Sequence, residues 1–202
     1  MGARVDKVVI SGVFSLDGQD FDVDDNVWLV GDDEEVLVID APHDAAPIVA
    51  AIGGRNVAGI VLTHGHNDHV TAAAALREAT GAPVWFHPED RMLWDVVHPD
   101  ADPDRDLVDH TRFTVAGTRL EALHTPGHSP GSTCLHAADL STVFTGDTLF
   151  SGGPGATGRS YSDKPTILAS IRARLLTLHG DTVVHTGHGD DTTIAAELGH
   201  IS

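Results

Sequence analysis

Four residues of the kind that bind metal ions fall within six positions of this sequence: His64, His66, Asp68 and His69. Residues two apart in an extended segment point the same way, so the imidazoles of His64 and His66 can hold one ion. Asp68 and His69 follow where a helix is predicted to begin, and they can serve a second ion. The run is unsuited to a hydrophobic core, because a core rarely contains four polar side chains within six residues. It is also unlike an ordinary exposed loop, which rarely contains three histidines. The run therefore predicts a site for two metal ions.

Three further candidate ligands each follow a predicted apolar strand and a short turn that contains glycine. They are His128, Asp147 and His188. Strand ends gather at one edge of a sheet, and glycine beside each ligand lets the backbone approach the metal ions without a side chain in the way. We therefore expect these three residues to complete the site that the histidine run begins.

The segment from Gly127 to Gly131 also fits the Gly-x-Ser-x-Gly pattern of serine hydrolases. Ser129, Asp147 and His188 even occur in the chain order of that triad. The residue after the nucleophile must donate its backbone N–H to the oxyanion, however, and Pro130 has none. A metal site is thus preferred over a serine nucleophile.

A glycine-rich segment, Gly153 to Ser160, imitates a phosphate-binding loop with Arg159 in place of lysine. A true loop of that kind joins a strand directly to a helix, and the predicted strand before this one ends near Thr145. The better interpretation is a flexible loop, Gly152 to Tyr161, beside the active site. We expect Arg159, Ser160 and Tyr161 to contact the substrate.

The composition is that of one soluble domain. The chain has 202 residues, 41% of them hydrophobic, and no apolar run long enough for a membrane helix. Its formal net charge of −18 repels polyphosphate, which argues against nucleic acid as a partner. No secretion signal is recognised, so a cytoplasmic location is expected, and the oligomeric state is not readable. The single cysteine, Cys134, is interpreted as a buried apolar residue.

Much of the acidic charge is concentrated near the start of the chain, in Asp20, Asp22, Asp24, Asp25 and the run from Asp32 to Glu35. We predict that these residues lie in loops between short strands and are exposed to water.

Hydrophobic periodicity predicts alternating strands and helices in one domain, 1–202, with two pseudo-halves at about 1–110 and 111–202. The predicted strands are 8–14, 27–30, 36–39, 59–63, 84–86, 113–115, 119–124, 133–136, 142–145 and 182–186. The predicted helices are 45–52, about 68–80, 88–96 and 166–178, and 98–109 is predicted to be an exposed connection. Strands followed by helices in each half indicate an α/β fold of two sheets packed face to face with helices outside.

Nine other histidines lack a ligand pattern and are predicted to be surface or supporting groups. They are His43, His87, His98, His110, His124, His136, His179, His185 and His200. His124 and His185 lie near proposed ligands and are candidates to orient them.

Taken together, four segments resemble the metallo-β-lactamase superfamily, and within it the glyoxalase II-like (hydroxyacylglutathione hydrolase-like) hydrolases. They are Thr63 to His69, His124 to Gly131, Phe144 to Phe150 and Thr186 to Gly189. The resemblance implies a four-layer αβ/βα sandwich. It also implies that His64, His66 and His128 bind the first metal ion, that Asp68, His69 and His188 bind the second, and that Asp147 bridges both.

Two adjacent divalent ions lower the pKa of a shared water toward neutrality, so a metal-bound hydroxide is the expected nucleophile, with Asp68 and Asp147 as catalytic residues. Zinc is expected, with iron or manganese as alternatives. Tyr161 is the one candidate acid for the leaving group. A thiolate leaves without such an acid, so the expected partner is a small-molecule acyl thioester.

The sequence departs from the family at Asn67, where many glyoxalase II-like proteins have an aromatic residue. Only fourteen residues follow His188, so we do not expect the basic thiol-binding extension of the larger glyoxalase II enzymes. An S-acyl or S-formyl mycothiol is therefore one candidate substrate. Three alternatives stay open: a mononuclear iron persulfide dioxygenase, a lactonase or β-lactamase, and a binding module without catalysis.

Overall fold

Two six-stranded β-sheets face each other, and helices cover both outer faces. The structure is a computed structural model that describes residues 2–201. The first sheet has the order β1-β2-β3-β4-β5-β6 and the second β14-β13-β10-β9-β8-β7.

The first sheet comprises β1 (Arg4–Leu16), β2 (Gln19–Gly31), β3 (Glu35–Ile39), β4 (Asn56–Val61), β5 (Val84–Phe86) and β6 (Arg105–Asp106). The helices inserted between its strands are α1 (Ala45–Ile52), α2 (Asn67–Val70), α3 (Ala73–Thr80) and α4 (Arg91–Val97), the last preceded by a 3₁₀ turn, Pro88–Asp90. Strands β1 to β3 are antiparallel, and β3 to β6 run parallel to one another.

The second sheet comprises β7 (Arg112–Val115), β8 (Thr118–His124), β9 (Thr133–Ala137), β10 (Thr142–Gly146), β13 (Val183–Thr186) and β14 (Thr192–Thr193). A small hairpin of β11 (Leu149–Phe150) and β12 (Gly153–Pro154) follows β10. The remaining helices are a 3₁₀ turn at Ala138–Leu140, α5 (Lys164–Ser170), a π-helical turn at Ile171–Leu175, and α6 (Ile194–Glu197).

Alternation along the strands divides the buried side chains between the layers. In β2, Trp28 and Val30 pack against the second sheet, whereas Val27 and Leu29 pack against the helices. This follows from the two-residue repeat of a strand, which turns successive side chains to opposite faces. Both faces of the central strands are therefore apolar and buried.

Three clusters of buried apolar residues result, one between each pair of neighbouring layers. One lies between the first sheet and helices α1, α3 and α4, a second lies between the sheets, and a third lies between the second sheet and α5 and α6. The four-layer α/β sandwich predicted from the sequence is confirmed, as a single domain of about 200 residues. The first sheet uses strands before residue 107, and the second uses strands after residue 111.

The first two strands are much longer than predicted, because they form one antiparallel hairpin of 13 residues per strand. Its two-residue turn is Asp17-Gly18, and both residues have positive φ. Asp-Gly is the sequence signal of such a turn. Hydrophobic periodicity alone excluded polar residues from the predicted strands. Cross-strand hydrogen bonding extends both strands through those residues.

The prediction that the first acidic residues lie in loops is consequently wrong. Asp20, Asp22, Asp24 and Asp25 all belong to β2. The first three are exposed on the hairpin, as expected for solvated carboxylates, but Asp25 is fully buried. The exposed position predicted for Asp25 is therefore wrong as well.

The helix predicted over residues 68–80 is interrupted at Thr71 and Ala72, between α2 and α3. The backbone of Ala41, which follows β3, is inserted there. Its N–H donates to the carbonyl of His69, and its carbonyl accepts from Ala72. These two hydrogen bonds replace bonds within the helix, which local periodicity could not predict.

The segment from His98 to Asp109 is not wholly an exposed connection. Its residues Arg105–Asp106 form β6 and pair with β5, and Leu107 is fully buried between the sheets. Within residues 2–201, no helix combines the length and apolarity that crossing a membrane requires.

Candidate metal centre

All seven proposed ligands meet at one edge of the sandwich, just beyond the ends of four strands. Strand β4 leads to the run from His64 to His69, β8 leads to His128, β10 leads to Asp147, and β13 leads to His188. The ligands lie in short segments that directly follow strands, and the sheets thereby position them.

The first group consists of three buried histidines, His64, His66 and His128. His66 Nδ1 lies 3.0 Å from His64 Nε2 and 3.0 Å from His128 Nε2. Three imidazole nitrogens converge in this way. Neutral imidazole nitrogens are good ligands for a transition-metal ion, so the group is a suitable donor set.

The second group contains Asp68, His69 and His188, and the structure adds Asp25 to it. His188 Nε2 lies 3.2 Å from His69 Nε2 and 3.6 Å from Asp68 Oδ2. This group mixes imidazoles with carboxylates, so it differs in charge from the first.

Asp147 lies between the two groups. Its Oδ1 is 3.3 Å from His69 Nε2, and its Oδ2 is 3.5 Å from His128 Nε2 and 3.4 Å from His188 Nε2. One carboxylate thus contacts nitrogens from both groups, which is the arrangement that a bridging ligand requires.

Unpartnered atoms test whether these residues fit metal ions. Among the described residues, four buried side-chain atoms have no hydrogen-bond partner, and all four belong to this cluster: Asp25 Oδ1, His66 Nε2, Asp68 Oδ1 and Asp147 Oδ1. Leaving a buried carboxylate oxygen unpaired is costly, so proteins rarely do it without a cation nearby. The cluster therefore fits divalent metal ions.

Burial sets the charge of the first group. It lowers the pKa of His66 to about 3 and the pKa of His64 well below its ordinary value, and the neighbouring histidines lower both further. These two imidazoles are neutral at physiological pH, and a neutral imidazole is the form that binds metal.

Carboxylates set the charge of the second group. Burial raises the pKa of Asp68 to about 6. Burial acts to lower the pKa of His188, but the Asp147 carboxylate outweighs it and raises that pKa to about 9. Without a metal ion the second group therefore carries protons that an ion must displace.

Backbone and carboxylate acceptors fix the imidazole tautomers. The Nδ1 atoms of His128 and His188 each lie 2.9 Å from a backbone carbonyl, that of Ala156 and that of Asp24. A proton held at Nδ1 leaves Nε2 free to face the site.

Asp40 does the same for His69, whose Nδ1 lies 2.9 Å from Asp40 Oδ2. The Asp40 carboxylate also accepts hydrogen bonds from the backbone N–H and hydroxyl of Thr63. Asp40 has a positive φ of 65°, a conformation uncommon outside glycine, and those bonds help to maintain it.

Asp90 joins the loop of the first two histidines to the loop of His128. Its buried carboxylate accepts hydrogen bonds from the N–H of Gly65, the N–H of Gly131 and the hydroxyl of Ser129. A single side chain therefore sets the distance between the two loops that carry the first group.

Glycine beside the ligands allows close approach, as predicted. A Cβ built on Gly187 would overlap Asp147 Oδ1 and crowd His69, and one built on Gly155 would overlap the backbone carbonyl of Asp147. A side chain at Gly187 would displace the Asp147 carboxylate, and one at Gly155 would displace the Asp147 backbone.

Two adjoining cavities open beside the cluster and share His66. The first, of about 470 Å³, reaches the proposed ligands and is lined by Phe14, Val23 and Phe150 among other residues. The second, of about 340 Å³, lies under the tip of the β1–β2 hairpin and includes Tyr161.

The three predicted substrate-contact residues lie near the β1–β2 hairpin and the second cavity, with different contacts. The Arg159 guanidinium stacks over Phe21 and donates to Gln19, and Ser160 donates from its N–H and hydroxyl to Asp17. Ser160 and Tyr161 line the cavity, and Tyr161 is half exposed. Arg159 and Ser160 are thus bound to the hairpin, which the sequence did not predict.

Asn67, where the sequence departs from the family, also holds the hairpin. Its side-chain amide donates to the carbonyl of Val13 and accepts from the N–H of Ser15. An aromatic residue could not make this pair of bonds. The polar replacement therefore fastens β1 over the site.

Ser129 is not placed as a nucleophile. It is buried, and its hydroxyl donates to Asp90 and lies 2.8 Å from the Ser132 hydroxyl. Asp147 and His188 belong to the candidate metal cluster instead. The geometry agrees with the rejection of the serine-hydrolase alternative.

A second cluster, His87, Glu89 and His124, shares no residue with this centre. The rings of His87 and His124 are stacked, with an interplanar angle of 15° and centroids 4.2 Å apart. A metal ion binds in the plane of an imidazole, so two stacked rings cannot both direct a nitrogen at one ion. His124 and His185 contact Pro130 and Asp191 rather than a proposed ligand.

Three residues of the site were missed by sequence reasoning: Asp25, Asp40 and Asp90. Asp40 follows the apolar strand β3, so the signal used for the other ligands would have found it. Asp25 was concealed in an acidic run, and Asp90 has no local signal, since its partners lie 25 and about 40 residues away.

A family model described as the metallo-beta-lactamase superfamily matches residues 21–188, and the chain therefore belongs to that superfamily. The chain is 35% identical to hydroxyacylglutathione hydrolase GloC of Haemophilus influenzae, over 85% of this chain and 89% of that protein. The predicted family is thus confirmed, and with it the general class of metal-dependent hydrolase.

Two solved structures are similar across most of the chain. The crystal structure of BLEG-1 B3 metallo-beta-lactamase matches with a TM-score of 0.80 and 28% identity, over 95% of this chain and 98% of that one. The crystal structure of TTHA1623 in a di-iron-bound form matches with a TM-score of 0.78 and 34% identity, over 88% of this chain and 94% of that one.

Proposed function

We propose that this protein is a dinuclear metal hydrolase that cleaves small acyl thioesters. His64, His66 and His128 would hold one ion, Asp68, His69 and His188 would hold the other, and Asp147 would bind both. The observation that supports two ions is the position of Asp147, within 3.5 Å of histidine nitrogens from both groups.

The ions would lower the pKa of a water molecule and polarise the substrate carbonyl. The protein's own residues position the other participants. Phe14 and Phe150 line the cavity at the cluster and give an acyl chain an apolar surface. Asp68 Oδ1 is buried without a partner and is available to accept a proton from the attacking water.

The lining of this cavity favours a leaving group that needs no proton. Apart from the proposed ligands, its described lining has one ionisable side chain, Asp24, and that carboxylate already accepts from the Ser11 hydroxyl. Tyr161, the candidate acid, lines the neighbouring cavity. A thiolate is a weak base and leaves unprotonated, whereas an amine does not, so thioesters suit the site better than amides.

The second cavity is a suitable location for the thiol carrier, because it adjoins the first at His66. Ser160 and Tyr161 would then contact the carrier, with Arg159 beside them. Replacing Arg159 by alanine should raise KM for the thioester and leave kcat nearly unchanged, and an unchanged KM would remove Arg159 from this role.

Zinc is the proposed metal, with iron or manganese as alternatives, since mixed imidazole and carboxylate ligands accept all three. The similarity to a protein solved in a di-iron-bound form supports iron as a real alternative. We propose a small-molecule partner, not nucleic acid or a membrane, and a location in the cytoplasm.

The decisive experiment measures metal content and turnover on one sample. The purified protein is assayed with acyl thioesters, lactones and β-lactams. An Asp147→Asn variant, which removes the charge of the shared carboxylate, is assayed beside it. Two ions per chain and thioester cleavage that is lost in the variant would support the proposal. One iron per chain with persulfide-dependent oxygen uptake would replace it with a dioxygenase, and no turnover of any substrate would favour a binding module.

A β-lactamase is the second candidate, because BLEG-1, a B3 metallo-beta-lactamase, is 28% identical and covers nearly the whole chain. Faster hydrolysis of β-lactams than of thioesters at equal metal content would favour it.

A further inference from the structure

Asp25 is a buried carboxylate that the seven-ligand scheme does not use. It lies in β2, its backbone forms an isolated bridge with His188, and its side chain is fully buried. One oxygen, Oδ2, lies 2.6 Å from His43 Nε2, and the other, Oδ1, has no hydrogen-bond partner. The Asp25 carboxylate is therefore hydrogen-bonded at one oxygen and unpaired at the other.

The unpaired oxygen faces the second group of ligands. Asp25 Oδ1 lies 3.8 Å from His69 Nε2, a nitrogen that faces the site. It also lies 3.4 Å from His188 Nδ1, the nitrogen whose partner is the carbonyl of Asp24. Asp25, Asp68, His69 and His188 each offer a ligand atom, and these atoms all lie within 4.8 Å of one another. The other unpaired carboxylate oxygens of the described residues, on Asp68 and Asp147, belong to proposed ligands.

The fold also maintains His43 in an unfavourable position behind Asp25. His43 has a positive φ of 43°, a conformation that costs a non-glycine residue free energy. A Cβ on Gly12 of the neighbouring strand would overlap the His43 ring, so the absence of a side chain there makes room for it. The backbone conformation of His43 and the absence of a side chain at Gly12 together place the His43 ring so that it orients the Asp25 carboxylate.

We propose that Asp25, oriented by His43, is part of the second metal position and determines how tightly that position retains its ion. The second position would then have three carboxylates nearby, Asp25, Asp68 and the shared Asp147, against two imidazoles. The first has three imidazoles and the shared carboxylate. Oxygen donors suit harder cations, so the second position should accept Mn²⁺ or Fe²⁺ more readily than the first does. This inference rests on the two-ion part of the proposed function.

The test replaces Asp25 by asparagine, which keeps the shape and removes the charge. Metal content is measured after dialysis against a graded series of chelator, with Zn²⁺ and Mn²⁺ as the probe ions. We expect the affinity of the second ion to fall by about 10- to 100-fold and that of the first to be unchanged. The control is Asp22→Asn, on the same strand but exposed.

Two further measurements separate metal retention from a merely structural role. Without metal, Asp25→Asn should melt no lower than the parent, because the substitution keeps the shape of the side chain and removes a buried charge. His43→Gln can still donate to Asp25 and should retain the second ion, whereas His43→Phe should lose it. A lower melting temperature of metal-free Asp25→Asn, or equal loss of both ions, would overturn the inference.

The parent protein distinguishes this inference from the proposed function. If the parent binds one ion, the two-ion function fails. If the parent binds two ions and cleaves thioesters, but Asp25→Asn retains both with unchanged affinity, only the role of Asp25 fails.

Discussion

Asp90→Ala should destabilise the protein and weaken the first metal position together. The substitution removes the acceptor for two buried backbone N–H groups, those of Gly65 and Gly131. Each unsatisfied group costs about 1–3 kcal/mol, so the free energy of unfolding should fall by about 4 kcal/mol. The Ser129 hydroxyl contributes little to this sum, because it can donate to Ser132 instead.

A loss of about 4 kcal/mol is a large part of the roughly 5–15 kcal/mol by which a domain is stable. In a chain of about this length it corresponds to a melting temperature about 8–16 °C lower. The two loops that carry His66 and His128 would also lose their common anchor. We therefore expect metal affinity at the first position to fall by about 10- to 100-fold.

Thermal unfolding, followed with and without metal, measures the first effect, and chelator competition measures the second. Glu89→Gln, at the exposed neighbouring residue, is the matched control and should change stability by less than about 0.5 kcal/mol. If Asp90→Ala fails to fold, Asp90→Asn, which keeps one acceptor oxygen, should show an intermediate loss. A melting temperature of Asp90→Ala within about 2 °C of the parent would refute the assignment of Asp90 as the anchor of both loops.

Three other predictions concern the reaction class, the packing and the pH dependence of the site. Ser129→Ala should keep its turnover and lose about 2 kcal/mol of stability, because it removes one hydrogen bond to a carboxylate, whereas loss of all activity would revive the serine nucleophile. Gly187→Ala should reduce turnover by about 100-fold by displacing Asp147, while Gly199→Ala, with no atom within 4 Å of its added Cβ, should be unchanged; equal rates in the two variants would contradict the close packing. Below pH 9 the second ion must displace the proton of His188, whose pKa is raised to about 9, and the pKa of His69 is raised as well, so the affinity should fall by at least about tenfold per pH unit as the pH is lowered. The first ion should show a weaker slope over the same range, because the pKa of His66 is lowered to about 3 and that of His64 lies well below its ordinary value. Metal content after dialysis from pH 8 to 5 checks this, and parallel loss of both ions would contradict it.

Much of the architecture could be predicted because it follows from local periodicity. The alternation of Trp28 and Val30 with Val27 and Leu29 specifies two buried faces without reference to the rest of the chain. The hairpin length could not be predicted in this way, since β1 and β2 continue through polar residues by pairing with each other. The break between α2 and α3 depends in turn on Ala41, a residue distant in the sequence.

The sequence by itself determined the chemical types of the proposed ligands and the family. The proposed metal site begins with four ligands within six positions: His64, His66, Asp68 and His69. Such a concentration of metal-binding residue types after one strand is typical of a metal site, so it is recognisable in the sequence. Only the tertiary structure decided which carboxylates support them. Asp25 looks like any member of an acidic run until the β1–β2 hairpin buries it against His188, and Asp90 acquires its role only when two distant loops meet it. The physical reason is that the electrostatic environment and the hydrogen-bond partners of a side chain depend on its neighbours in space. These neighbours are distant in the sequence, so local sequence patterns do not reveal them.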